Sequence, residues 1–304
     1  MMKEKQGLKT VLFYVNDKWR KAAEKLAETL IQSQVRVSFL KQKEAGQLVH
    51  YVLEQSDSKG AFQHILVVTD SEKLARELTH SRTACVGCAE QSSGYFEGAG
   101  MVTDAPDALS AEELEEYLFH YHGWPVTAAV TERLILREIA IEDAEGLYRI
   151  SIQDGMRYLQ DTMEKNFFRK ENLLSYIKQI YQLQGYGLWS VRKKDGTLIG
   201  CCGLANTAAK DGGMHLELQY MLDEKFQHYG YGLEMCRAAI KYAFARTSWD
   251  EIWLRIHPEN QASLRLAEKL GFRCEKTETS GMLCFRKSLD CFLAAGVAQD
   301  AGNL

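Results

Sequence analysis

Apolar and polar positions along the first 120 residues switch repeatedly between two periods. Residues 10–15 form a nearly continuous apolar run, the pattern of a strand buried on both faces, and residues 18–31 then place Trp19, Ala22, Ala23, Leu26 and Leu30 at helical spacing. The pair recurs. Residues 35–40 read as a strand, 46–54 as a helix and 64–69 as a second buried strand, which ends at Asp70 and Ser71. This Asp-Ser pair can cap the next helix, and Asp70, which could look like a metal ligand by analogy, is expected to be a helix cap instead. Short strands are expected at 84–88 and 100–103, and Ser110-Ala111-Glu112-Glu113 forms a capping box that opens a helix to about residue 121. Strands joined by helices of this length predict a parallel sheet covered on both faces.

From Thr131 the order changes. A strand at 133–138, a helix at 141–151 and a second helix at 171–184 precede strands at 186–192 and 197–204, joined by Lys193-Lys194-Asp195-Gly196 with its Asp-Gly hairpin signal. A third strand, 214–222, leads through residues 223–232 into a helix carrying Leu233, Cys236, Ala239, Ile240, Ala243 and Phe244 on one stripe. A strand at 251–256 follows, then Asn260-Gln261-Ala262-Ser263 and a helix closing at Leu270-Gly271-Phe272. His122-Gly123-Trp124-Pro125 ends the helical pattern of the first half, since proline disfavours helix in the residue before it. The expected domains are therefore residues 1–126 and 127–289, with 290–304 as a loosely held tail.

Composition narrows the function classes. A chain of 304 residues exceeds what one core usually serves. Residues 1–125 carry 14 Lys and Arg against 18 Asp and Glu, and residues 126–304 carry 23 of each, so no basic surface points to nucleic acid. Apolar runs such as 65–68 are far too short to span a membrane, and the charged N-terminus does not read as an export signal, so a cytoplasmic protein is expected. The eight cysteines read as reduced, buried thiols, and no metal site is expected. Cys85-Val86-Gly87-Cys88 has the C-x-x-C form, but it falls in a strand and lacks the second pair of a four-ligand zinc site.

The sharpest signal lies at residues 227–232, Gln-His-Tyr-Gly-Tyr-Gly, between a strand and a helix. Gly230 and Gly232 permit unusual backbone angles and close approach, so successive amides at a helix start can point toward an anion such as a pyrophosphate. An ordinary glycine-containing connection is the alternative. Strand, Gln-x-x-Gly-x-Gly, helix, strand and Asn-led helix together resemble the GNAT acetyltransferases over some 160 residues, and within them the ribosomal-protein-alanine N-acetyltransferase branch. The expected chain is therefore α/β: the pattern of the first half gives a Rossmann-like parallel-sheet domain, and the resemblance implies a mixed-sheet GNAT domain after it. The resemblance further implies acetyl-CoA as co-substrate, with Gln227, His228, Tyr229, Gly230, Tyr231 and Gly232 at the pyrophosphate, and Asn260 and Ser263 at the pantetheine arm. The pantetheine would lie as an added strand along Tyr220, Met221 and Leu222, opposite residues 253–256. Asn260 also reads as a helix cap, and both roles can hold.

Direct transfer requires a neutral amine. At pH 7, deprotonating a lysine costs about 4.6 kcal/mol and an α-amine only about 1.4 kcal/mol, so a weak base suffices for the latter. The resemblance places such a base at Glu217, whose alternative is a structural salt bridge or a solvent-facing charge. Many members carry a proton-donating tyrosine seven residues beyond the Asn; here that position is Ala267. The resemblance to the ribosomal-alanine branch implies Ser263 as the donor to the leaving thiolate in its place; the alternative is that Ser263 simply hydrogen-bonds the cofactor or its own helix. Cys201 and Cys202 could suggest an acetyl-cysteine relay, yet cysteine is commonly a small core residue. The expected acceptor is a primary amine, either a small molecule or a protein N-terminus; the chain carries no mark of its oligomeric state.

Two rivals follow from the same residues. One is an acyl-CoA-binding regulator without turnover, favoured by the missing tyrosine. The other is a phosphate-ester hydrolase in the first half, which resembles the haloacid dehalogenase-like sheet around residues 65–70 and 94–99. That family's Asp-x-Asp is replaced here by Tyr14-Val15-Asn16-Asp17-Lys18.

Overall fold

The computed structural model describes residues 7–41, 63–90, 96–158, 166–208, 213–278 and 280–288. The helix expected at 46–54 and the tail at 290–304 lie outside these residues. The chain divides into two compact units, Met1–Trp124 and Pro125–Leu304.

In the first unit β1 (Thr10–Tyr14), β2 (Arg36–Phe39), β3 (Ile65–Thr69), β4 (Ala84–Cys88) and β5 (Met101–Thr103) form a parallel sheet in the order β2-β1-β3-β4-β5. Helices α1 (Asp17–Gln32) and α3 (Ala111–His122) bury Leu26, Leu30, Leu114 and Leu118 against Val11, Phe13 and Val86 on one face. Helix α2 (Glu72–His80) packs Leu74 and Leu78 against Val67 and Cys85 on the other. This is the expected parallel sheet with both faces covered. The Ser110–Glu113 capping box is formed, with Glu113 N donating to Ser110 Oγ at 3.1 Å and Ser110 N donating to Glu113 Oε2 at 2.7 Å.

One capping expectation is corrected. Ser71, not Asp70, caps α2, because its hydroxyl accepts from Leu74 N at 3.3 Å. Asp70 sits one residue too early and instead accepts from Asn16 N at 3.4 Å, tying the end of β3 to the end of β1.

The second unit holds an eight-stranded sheet: β6 (Thr127–Val130), β7 (Leu134–Glu138), β8 (Leu188–Lys193), β9 (Leu198–Ala208), β10 (Met214–Leu222), β11 (Glu251–Ile256), β12 (Arg273–Thr277) and β13 (Leu283–Ser288). Their spatial order is β12-β13-β11-β10-β9-β8-β7-β6, and every pairing is antiparallel except β10 with β11. Helices α6 (Tyr231–Arg246) and α7 (Gln261–Lys269) cover one face, where Cys236, Ala239, Ile240 and Ala243 meet Leu216, Leu218 and Ile252. On the opposite face α4 (Ala144–Ser151) and α5 (Lys170–Gln184) pack Leu147, Ile150 and Leu173 against Leu188, Cys201 and Met221.

Strand β6 was not expected, since the sequence pattern shows its change of order only from residue 131. Four half-exposed residues at a sheet edge, Thr-Ala-Ala-Val, carry neither alternation nor an apolar run. Among the described residues no helix is long and apolar enough to cross a membrane.

Candidate active site

Strand β10 is paired along its whole length with β9, from Met214 opposite Ala208 to Leu222 opposite Gly200. Toward β11 it has a single register pair, Glu217 with Trp253. Beyond that pair the two parallel strands diverge, and residues 219–222 lose their ladder partner on that side. A cavity of about 480 Å³ occupies the divergence, walled by residues 217–222 of β10, Leu254, Arg255 and Ile256 of β11, the start of α6 and one side of α7. Buried backbone donors and acceptors left without a ladder need another partner, and an extended ligand lying between the strands supplies one.

The end of β10 is held by its own loop. Asp223 caps a short 3-10 turn by accepting from Lys225 N at 3.0 Å, and Gln227 Nε2 reaches back to donate to Leu222 O at 3.2 Å. His228 has φ +68° and Gly230 has φ +83°. At Gly230 this left-handed geometry forms the N-cap of α6 with no capping side chain, so the first amides of the helix face the cavity mouth uncapped. Gly232 departs from expectation in one respect: it lies inside the helix without a positive φ, and a Cβ there would meet Leu266 at an ordinary 3.7 Å. Its value is therefore openness rather than an unusual backbone angle.

Sequence reasoning missed the clamp on this loop. Arg133 Nη1 donates to Tyr229 O at 2.9 Å and Arg133 Nε to Glu234 Oε2 at 2.7 Å, while Thr131 Oγ1 hydrogen-bonds the same carboxylate at 2.5 Å. The β6–β7 hairpin thus holds the start of α6 from 101 residues away in sequence, a pairing that no local pattern announces.

Of the residues expected to contact a cofactor, Tyr220, Met221, Leu222, Gln227, His228, Gly230, Gly232, Asn260 and Ser263 line the cavity. Tyr229 and Tyr231 do not. Tyr229 is 67% exposed, and the Tyr231 ring lies under the Arg133 guanidinium at 4.5 Å. Asn260 caps α7, its Oδ1 accepting from Ser263 N at 3.1 Å. Arg265 and Lys269, one turn apart on α7, also border the cavity and were not singled out from the sequence. Their spacing places two cations on one face of α7, and the start of α6 lines the same cavity.

Glu217 is 2% exposed and its Oε2 accepts from Arg255 Nε at 3.0 Å. Burial raises its pKa above the ordinary carboxylate value, and the Arg255 charge opposes that rise without cancelling it. The carboxyl is therefore both salt-bridged and basic for its type. Ala267 is fully buried. Cys201 and Cys202 are fully buried in the core, outside the cavity wall, and burial pushes both thiols up, which removes the thiolate that a relay would need.

Cys85 and Cys88 lie on opposite faces of β4, one against α2 and the other against the α1–α3 cluster, and burial pushes each thiol up to about 12. A redox pair is excluded by this geometry. Among the described residues no group of three His, Cys, Asp or Glu is arranged to hold a metal ion.

Residues 133–273 match the family described as "Acetyltransferase (GNAT) domain". The uncharacterised protein YkkB of Bacillus subtilis is 28% identical over 154 residues, covering 50% of this chain and 88% of the relative. An uncharacterised N-acetyltransferase, YoaA, from the same organism is 26% identical over 147 residues, covering 48% and 82%. Among solved structures, an acetyltransferase from Agrobacterium tumefaciens superposes with a TM-score of 0.46 at 20% identity, covering 52% of this chain and 92% of that one. The second unit carries a GNAT acetyltransferase domain, and the protein is an acetyl-CoA-dependent acyltransferase.

Proposed function

We propose that acetyl-CoA lies in the gap between β10 and β11 and that its acetyl group passes directly to a primary amine. The observation that carries this reading is the loss of the β10–β11 ladder after Glu217 and Trp253, at a cavity closed by the uncapped start of α6. The pantetheine arm would restore the missing strand pairing along Tyr220, Met221 and Leu222. The pyrophosphate would sit on the amides following Gly230, with Arg265 and Lys269 adding charge. A backbone amide of β10 stabilises the oxyanion formed when the amine attacks the thioester.

Glu217 accepts the amine proton, directly or through a water. Among the described residues it is the one carboxylate in the cavity wall, its charge is shared with Arg255, and His257 stands on the same wall. That balance favours an α-amine, in a peptide N-terminus or small molecule, over a polyamine, whose several cations would find no further acid among the described wall residues. The test is thiol release from acetyl-CoA with a panel comprising α-amino peptides, amino acids, amino sugars and polyamines. Turnover with the α-amines first supports the assignment; turnover confined to polyamines refutes the acceptor class.

The first unit is assigned the selection of the acceptor, a role motivated by its fusion without a flexible linker. Residues 127–304 alone would then acetylate a broader set of amines than the full chain, and an unchanged set at full rate would sink this role.

A further inference from the structure

Alternation along β10 sends Glu217 and Met221 to one face of the sheet and Leu218, Tyr220 and Leu222 to the other, where they meet the core under α6 and α7. The Tyr220 hydroxyl is buried there and has no hydrogen-bond partner. A buried hydroxyl left unsatisfied costs about 1–3 kcal/mol, so its retention beside a cavity asks for a reason. Ser263 is the polar side chain placed to meet the phenol, and it draws the phenol's pKa down as a hydrogen-bonding neighbour would, but the contact falls short of full hydrogen-bond geometry. Both residues line the cavity, and Ala267, one turn beyond Ser263 on the same helix face, offers no hydroxyl.

We propose that the Tyr220 hydroxyl is a catalytic hydrogen-bond donor to the coenzyme sulfur, acting on the α7 side of the gap while Glu217 acts on the other. The proposal rests on acetyl-CoA occupying the gap as set out above. Burial raises the phenol's pKa, so Tyr220 stays neutral and protonated throughout the physiological range. A phenol of that kind does not give its proton outright to a thiolate whose conjugate acid has a pKa near 8.5, roughly. It donates a hydrogen bond instead. The amine nitrogen forms its bond to the carbonyl carbon, the carbon–sulfur bond breaks, and the electron pair moves onto sulfur facing Tyr220. The proton shed by nitrogen leaves through Glu217 or water, and the released thiolate takes a proton from solvent, which balances the step.

The experiment is steady-state thiol release and calorimetric titration of acetyl-CoA on the full chain and on Tyr220→Phe. A hydrogen bond to a charged group is worth enough to predict a roughly 10- to 100-fold fall in kcat, with the affinity for acetyl-CoA held within about twofold. An unchanged kcat in the variant overturns the role of Tyr220 and leaves the cofactor site standing. Failure of the unaltered protein to bind acetyl-CoA overturns both. Should the variant not fold, the thiol pKa of CoA bound to the unaltered protein, read by thiolate absorbance, decides instead. A value below that of free CoA is expected, and an unchanged or raised value refutes the hydrogen bond.

Discussion

Glu217 on β10 stands in register with Trp253 on β11, and this one pair is the whole ladder between two strands that run parallel through the centre of an eight-stranded sheet. The pair places the buried carboxylate at the point where the strands part. Arg255, two residues beyond Trp253 on the same face of β11, reaches back to the carboxylate at 3.0 Å, so the hinge of the gap and the proposed base are one piece of structure.

Replacing that carboxyl tests its chemistry. Glu217→Gln should lower kcat about 10- to 100-fold, at the modest end of general-base effects because an α-amine is easily deprotonated, and leave acetyl-CoA affinity unchanged. The rate for the unaltered protein should rise with pH as Glu217 ionises, above the ordinary carboxylate range, and the Gln variant should lack that limb. Initial rates across pH 4 to 8 (roughly the span of interest) decide it.

The same raised pKa carries a stability signature. Between the ordinary Glu value of 4.5, which the unfolded chain takes, and the higher folded value, the native state holds the proton that the unfolded chain has released. Stability therefore falls as pH rises through that window. Melting curves should show the decline in the unaltered protein and a flatter dependence in Glu217→Gln.

Gly230 and Gly232 should respond differently to alanine. At φ +83° a side chain at 230 costs about 1–2 kcal/mol through the backbone alone, since its Cβ would meet only Arg133 Nη2, at an ordinary 3.4 Å. At 232 the Cβ is accommodated, and the helix gains about 1 kcal/mol or less from losing a glycine. Thermal unfolding of the two variants should move in opposite directions; equal destabilisation would contradict the loop geometry.

Thiol labelling checks the reading of the cysteines. Exposed Cys274 should react with a small alkylating reagent in the native protein, whereas Cys85, Cys88, Cys201 and Cys202 should react only after unfolding. Peptide mass mapping reads each site, and fast modification of Cys85 or Cys88 would reopen a redox role.

The loop at residues 227–232 was legible in the sequence because its signal is local: glycine spacing, a preceding strand and a following helix all fall within about twenty residues. The parallel sheet of the first unit was legible for the same reason, through apolar runs alternating with helical stripes. What escaped was held at long range. Arg133 gives no local sign that it clamps Tyr229 and Glu234, and Arg255 gives none that it pairs with Glu217. Tyr220 was read for its backbone, while the isolation of its hydroxyl depends on β10 and α7 meeting in the folded unit. The cap after β3 moved by one residue, from Asp70 to Ser71, a distinction that cap propensity alone does not make.

The most direct test of the central claim is calorimetric titration of acetyl-CoA into the full chain and into Gly232→Glu. The structure accepts a Cβ at 232 without a clash, and an acid near a helix N-terminus supports folding, so the variant should melt no lower than the unaltered protein. Its carboxylate would nonetheless face the pyrophosphate. Binding by the unaltered protein that is lost in the folded variant is the predicted result; equal binding by both, or none by either, would contradict the placement of acetyl-CoA at the start of α6.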